Sequence, residues 1–243
     1  MNFAYYSYRH LLERIENDGY AISDYHMCDS YSKCVILRHD IDTSLEAALN
    51  LARIECGCGV KSTWFILLKT DFYNIASAHS QKIIQEIISM GHEIGLHFDE
   101  KSYSFNTHSE DVPKAIIKEA AILSDICDYP ITTVSMHRPS KETLDADYSI
   151  PGIVNSYGNK FFKQYKYLSD SRCRWREPVE EIVSSGKYDK LHILTHAFWY
   201  HETDQTINET IASFVNSANR VKYDQLTDNI TDLAAIMKPE EVR

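Results

Sequence analysis

The chain has 243 residues, 44% hydrophobic and 25% charged, with only 8 glycines and 6 prolines. That suits one barrel-like or doubly wound domain with a sizeable core and disfavours long disordered linkers. A formal net charge of -10 without an evident basic cluster disfavours a protein whose main task is gripping nucleic-acid phosphates.

The opening MNFAYYSYRHLLERIE lacks the apolar core of a signal peptide. No apolar run approaches the roughly 18 residues of a membrane helix, so no membrane span is expected and the expected location is the cytoplasm. Six cysteines are scattered along the chain. That pattern argues against a disulfide framework, and Cys56-Gly57-Cys58 reads as small residues at a helix end.

YYSYRHLLERIENDGY predicts an amphipathic helix ending near Gly19, followed by a loop. CVILRHDID is an apolar run that turns abruptly acidic, as a buried strand with polar residues at its C-terminal end would. Thr43-Ser44-Leu45-Glu46 fits a capping box, which starts a helix running to about Cys58. KSTWFILL (61–68) predicts a strand, SAHSQKIIQEIISMG a helix stopped by Gly91, and HEIGLHFD a strand ending at His97-Phe98-Asp99. A helix from Thr107 to about Asp128 follows, then strand ITTVSMH ending at His137. Residues 140–166 are less regular. YKYLSD predicts a strand, EPVEEIVSSG a helix, KLHILTH a strand ending at His196, and the stretch from about Thr206 to Met237 is helical. Strands alternating with helices from 34 to 200 predict an α/β fold with a mostly parallel sheet, open or closed into a barrel. The N-terminal helix and the C-terminal helices are additions to that core, and 1–243 is expected to be one domain. No glycine-rich phosphate fingerprint follows the first long strand, which counts against a nucleotide-binding Rossmann fold.

Strand after strand ends in a residue able to bind metal or move protons: Asp40 and Asp42, His97, His137, Asp170 and His196. In parallel α/β folds those ends share one rim, where sites are built. Asp40 and Asp42 are two apart, so an extended backbone points both to one side. A divalent cation relieves their repulsion, with one carboxylate as ligand and the other as base. His97 is a candidate metal ligand on the same rim. His137 is a ligand, a substrate contact or a support for Asp40. His92 opens its strand on the opposite rim and reads as structural. Imidazoles with a carboxylate are a usual set for catalytic zinc. His196 sits in an aromatic stretch, THAFWYH, where it is either catalytic or a hydrogen-bonded core histidine. Trp199 and Tyr200 there either line a sugar site or belong to the core.

These residues resemble the NodB-homology polysaccharide deacetylases, carbohydrate esterase family 4, over about 34–200. RHDID resembles the family's aspartate motif, GHEIGLH the start of its histidine motif, HRPS its arginine-proline motif, SDSRCRW its aspartate-tryptophan motif and ILTH its last motif, in the family's order. The resemblance implies a distorted (β/α) barrel. It implies Asp40 as general base, Asp42 and His97 as metal ligands, and Arg138 orienting the base with Asp170 paired to that arginine. It further implies Trp175 walling the pocket and His196 as general acid. Two departures stand out: Ile41 separates aspartates that are adjacent in the family, and Lys101 occupies the place of the second metal histidine. His137 is the candidate replacement, with Asp99 or His39 behind it. The implied cofactor is one divalent metal, zinc first, with nickel, cobalt, manganese and iron as alternatives. The implied reaction is removal of an acyl group, the N-acetyl above all, from a sugar or surface-polysaccharide intermediate. The rival readings are a non-catalytic sugar-binding relative and a metal hydrolase of another C–N bond. The expected partner is a small-molecule or glycan substrate, not nucleic acid.

Overall fold

A computed structural model describes residues 1–242 and, at position 108, the backbone alone. The chain falls into two units, 1–202 and 203–243. In the first, chain order runs α1 (Tyr5–Asn17), β1 (Ala21–Ser23), β2 (Cys34–Ile41), α2 (Leu45–Gly57), β3 (Thr63–Leu67), α3 (Ala78–Ser89), β4 (Glu93–Phe98) and α4 (His108–Cys127). It continues with β5 (Thr133–Met136), α5 (Lys141–Ala146), β6 (Val154–Asn155), α6 (Asn159–Lys163), β7 (Lys166–Ser169), α7 (Val179–Ser184) and β8 (Lys190–Thr195).

All eight residues of β2 are buried. A strand covered on both faces is expected at the centre of a parallel sheet, and this explains why CVILRHDI reads as a continuous run rather than an alternation. The sheet order is β6-β5-β4-β3-β2-β8-β7, with β1 also paired to β2. Every pairing is parallel. The strands therefore deliver their C-terminal ends to one rim.

The sheet is curled. Strands β2 and β6 stand four places apart, roughly 19 Å in a flat sheet, yet Arg38 on β2 reaches Ser156 just after β6 at 3.3 Å. The edges β6 and β7 do not pair. A ring stack spans their gap: Phe162 of α6 lies 4.7 Å from Tyr157 and 5.1 Å from Tyr167 of β7. The result is an incompletely closed, distorted (β/α) barrel. Its inside holds a small core of Tyr25, Ile36, Phe65, Phe161 and Tyr165 with Cys28 and Cys34. The larger core lies between the sheet's outer face and the helices. Gly95 belongs to the inner packing: a Cβ there would stand 2.5 Å from the Phe65 ring, so the space for that ring requires glycine.

The order of long elements follows the sequence pattern. Two short strands do not: β1, three residues in a stretch expected to be a loop, and β6, two residues inside the irregular region. Neither is long enough to show a period; each is held by its neighbour. The cap of α2 also differs by one residue. Ser44, not Thr43, is the N-cap, accepting from the Ala47 amide at 3.1 Å. None of the six cysteines is in a disulfide.

The second unit contains α8 (Ile207–Leu226), opened by a capping box between Thr206 and Glu209, and α9 (Leu233–Ile236). The Tyr223 hydroxyl donates to the Met237 carbonyl at 2.7 Å and ties the return segment to α8. Among the described residues no helix is long and apolar enough to cross a membrane.

Candidate active site

The alternation of β2 decides what each residue of RHDID can do. Arg38 and Asp40 point into the barrel, and Asp42 follows at its rim. His39 points the other way. It stacks on Trp64 at 3.9 Å and faces Glu55 at 2.9 Å and Thr195 at 2.5 Å. His39 is therefore withdrawn as a ligand candidate.

Asp42, His97 and His137 converge. Asp42 Oδ1 lies 3.2 Å from His97 Nε2 and 3.9 Å from His137 Nε2. One donor atom from each fits within a span of 4.8 Å, the one such trio among the described residues. A four-coordinate ion with bonds near 2.0–2.2 Å holds its donors roughly 3.3 Å apart, close to this spacing. Asp42 Oδ1 is buried and has no hydrogen-bond partner although two imidazole nitrogens face it. Asp99 Oδ2 stands 3.3 Å from His137 Nδ1, placed to hold a proton there and leave Nε2 for a ligand role. By donor type, spacing and orphaned atoms, these residues fit a divalent metal. Lys101 is exposed on the turn Glu100–Ser102.

Asp40 stands beside the trio, its Oδ2 3.6 Å from His97 Nε2. The Arg38 guanidinium grips it in a fork, Nε to Oδ1 at 2.9 Å and Nη2 to Oδ2 at 2.8 Å. Burial alone would raise the Asp40 carboxyl. Arg38, with help from His97 and His196, overrides this and holds it well below the usual carboxylate range. The same guanidinium donates to Ser135, Ser156 and Tyr157, so it is fixed from three sides.

Opposite, His196 Nδ1 bonds Asp170 Oδ1 at 2.6 Å, and the His196 amide donates to Asp170 Oδ2 at 3.0 Å. His196 Nε2 lies 4.0 Å from Asp42 Oδ2. Burial pushes the His196 imidazole down, but the charge and hydrogen bond of Asp170, then Asp42 and Asp40, bring it up to about 9. For Asp42, burial raises and the two histidines lower, with a net fall. His137 is lowered by burial and by His97.

Two expected pairings are corrected. Arg138 does not touch Asp40. The backbone turns at Arg138 with φ 47°, and its guanidinium is 63% exposed, 3.5 Å from Asp99. Asp170 pairs with His196 instead of with that arginine. The guanidinium that grips Asp40 is Arg38, overlooked in the sequence although its i, i+2 spacing from Asp40 on a strand places it on the same face. Trp175 and Trp199 are half-buried and pack against the outer core. His92 is buried; it accepts from the Ser62 amide at 3.2 Å and faces the Ala52 carbonyl, a structural role.

No protein-family model and no curated protein matches the sequence. Several solved structures are similar in fold. Wild-type BA3943 of Bacillus anthracis, described as a CE4 family pseudoenzyme, is 12% identical with a TM-score of 0.44, over 77% of this chain and 62% of that one. The chain thus spans less than two thirds of that structure. The Xyl-CE4 domain of a multidomain xylanase from the hindgut metagenome of Trinervitermes trinervoides is 15% identical, over 84% of this chain and 91% of that one, with a TM-score of 0.44. Peptidoglycan deacetylase PdaC from Bacillus subtilis is 14% identical, over 86% and 94%, with a TM-score of 0.42. All three stand at low identity, and the first two carry CE4 in their descriptions.

Proposed function

We propose that the chain is a metal-dependent hydrolase that removes an acyl group, in the first place N-acetyl, from a sugar. The observation that carries this reading is the union at one rim of a two-histidine, one-aspartate trio, a gripped carboxylate and a carboxylate-backed imidazole. The motif resemblance supplies the acyl-sugar substrate.

Asp42, His97 and His137 would hold the ion. A divalent metal there supplies Lewis acidity, polarising the acyl carbonyl and acidifying water. Asp40, ionised and fixed by Arg38, accepts the proton of the attacking water. A carboxylate so strongly held is a weak base, so Arg38 trades basicity for orientation: it occupies one side of Asp40 and leaves the other toward His97. His196, oriented by Asp170, donates to the leaving amine. Asp99 keeps His137 in one tautomer. Trp175 and Trp199 are proposed to border the sugar.

The test is acetate release from N-acetylated mono- and oligosaccharides by metal-loaded protein. Turnover that falls roughly 10²–10⁴-fold in Asp40→Asn and in His196→Ala supports the assignment. Release of formate or ammonia from a non-sugar amide instead would move the chain to hydrolysis of another C–N bond. Glycan binding without any release would leave a binding protein.

A further inference from the structure

Among the described residues, six non-glycine residues hold a positive φ. Three are aspartates at helix ends: Asp128 and Asp147 follow α4 and α5, and Asp232 precedes α9. Aspartate tolerates this region through local hydrogen bonds. The other three are Arg138 (47°), Arg172 (63°) and Cys173 (54°), all on loops leaving the site rim. Arginine and cysteine are uncommon in this region, and strain of this kind concentrates where a loop must present particular groups.

The strained pair sits in Asp170–Arg176, DSRCRWR. The Arg174 amide donates to the Asp170 carbonyl at 3.1 Å, so the loop turns back toward the residue that holds His196. Side chains then alternate. Cys173 and Trp175 pack against the outer core, while Arg172, Arg174 and Arg176 are exposed. Of the two carboxylates between β7 and α7, Asp170 is fully buried and engaged by His196, and Glu177 is engaged by Lys166. None of the three guanidiniums has an ion-pair partner among the described residues. Elsewhere, exposed Arg53 and Arg220 lie against Glu86 and Asp224. The overall charge of -10 thus conceals a local cationic loop beside the imidazole assigned to the leaving group.

We propose that the substrate is an anionic acyl-sugar whose sugar part bears a phosphoryl group, read by Arg172, Arg174 and Arg176. This rests on the acyl-sugar reading above and adds the substrate class. Guanidinium forks match phosphate oxygens in pairs, and three of them exceed what one carboxylate can engage. Because the loop carries the partner of His196, the anion belongs to the leaving sugar rather than to the acyl group.

The test compares four compounds on the full chain: N-acetylglucosamine 1-phosphate, uridine diphosphate N-acetylglucosamine, an N-acetylated uronate and uncharged methyl N-acetylglucosaminide. Binding is measured by calorimetry and acetate release separately. The chain carrying Arg172→Gln, Arg174→Gln and Arg176→Gln is set beside a charge-matched control, Arg9→Gln, Lys82→Gln and Lys118→Gln, all exposed and on α1, α3 and α4. The expected result is at least tenfold tighter binding of a phosphorylated compound than of the neutral one, lost in the loop variant and kept in the control. Equal binding of neutral and phosphorylated sugars, a preference for the uronate, or equal loss in both variants would overturn it. Binding that depends on the arginines without acetate release would sink the proposed reaction and leave the phosphoryl site standing. Release without phosphoryl preference would do the reverse.

Discussion

Two clusters in this chain set a carboxylate between two histidines, and they differ in one respect. Behind the sheet, Glu55 faces His39 at 2.9 Å and His92 at 3.7 Å. At the rim, Asp42 faces His97 and His137. In the first cluster every side-chain nitrogen and oxygen has a partner. Glu55 accepts from Tyr8 at 2.6 Å and from Ser62 at 2.5 Å; Thr195 meets His39, and Ser62 and the Ala52 carbonyl meet His92. In the second, Asp42 Oδ1 is buried without a hydrogen bond, and His97 Nε2 and His137 Nε2 face it at 3.2 and 3.9 Å. Buried polar groups are normally satisfied, so an unmatched carboxylate oxygen faced by two imidazole nitrogens suits a bound ligand. Residue type therefore does not separate a candidate metal site from a structural knot; completeness of hydrogen bonding distinguishes these two clusters.

The largest expected effect is catalytic. Asp42→Asn should abolish metal-dependent turnover, a drop of roughly 10³-fold or more, while Glu55→Gln should leave kcat within about tenfold, since the two clusters face opposite sides of β2. Acetate-release kinetics on both variants check this. Equal losses would erase the distinction.

Next in size is the fate of a broken buried ion pair. Arg38→Met leaves Asp40 buried and unpaired, which should cost roughly 3–5 kcal/mol in urea unfolding. The exposed Arg138→Met should cost about 0.5 kcal/mol or less. The reverse ranking would restore Arg138 as the partner of Asp40.

How far the sequence led follows from these same residues. The order of long strands and helices was legible because each strand is a buried apolar run and each helix has a periodic face and a cap. The rim residues were legible because chemistry-bearing side chains recur at strand ends. Which way β2 faces was implicit in its alternation, and Arg38 was visible there once Asp40 was assigned inward. The strands β1 and β6 were not legible, since two or three residues carry no pattern and exist through pairing alone. Nor was the partner of Asp170, because residues 170 and 196 meet only through the β7–β8 pairing.

A smaller effect concerns pH. For Glu55, burial raises the carboxyl but His39, His92 and Ser62 bring it below its ordinary value. A group depressed in the folded state stabilises above its unfolded pKa, near 4.3, and that contribution disappears as pH falls through the lower folded value. His92 is lowered chiefly by burial and acts in the same direction, destabilising below about pH 6.5. The stability gap between wild type and Glu55→Gln should accordingly be widest near pH 6 and narrow below about pH 4. Thermal unfolding across that range reads it, and a gap that grows in acid would contradict the assignment. The smallest expected change is Tyr8→Phe, which removes one of several donors to Glu55 and should cost about 1 kcal/mol in urea unfolding. A cost near that of Arg38→Met would show the cluster behind the sheet to be far more cooperative than a set of independent hydrogen bonds.

Metal content tests the central claim most directly. Chelator-treated, remetallated protein should hold about one equivalent of a divalent ion by elemental analysis. His97→Ala should lose it, and Glu55→Gln, altered in the satisfied cluster, should keep it. A wild-type chain that stays metal-free after remetallation, or a His97→Ala chain that retains the ion, would contradict the account.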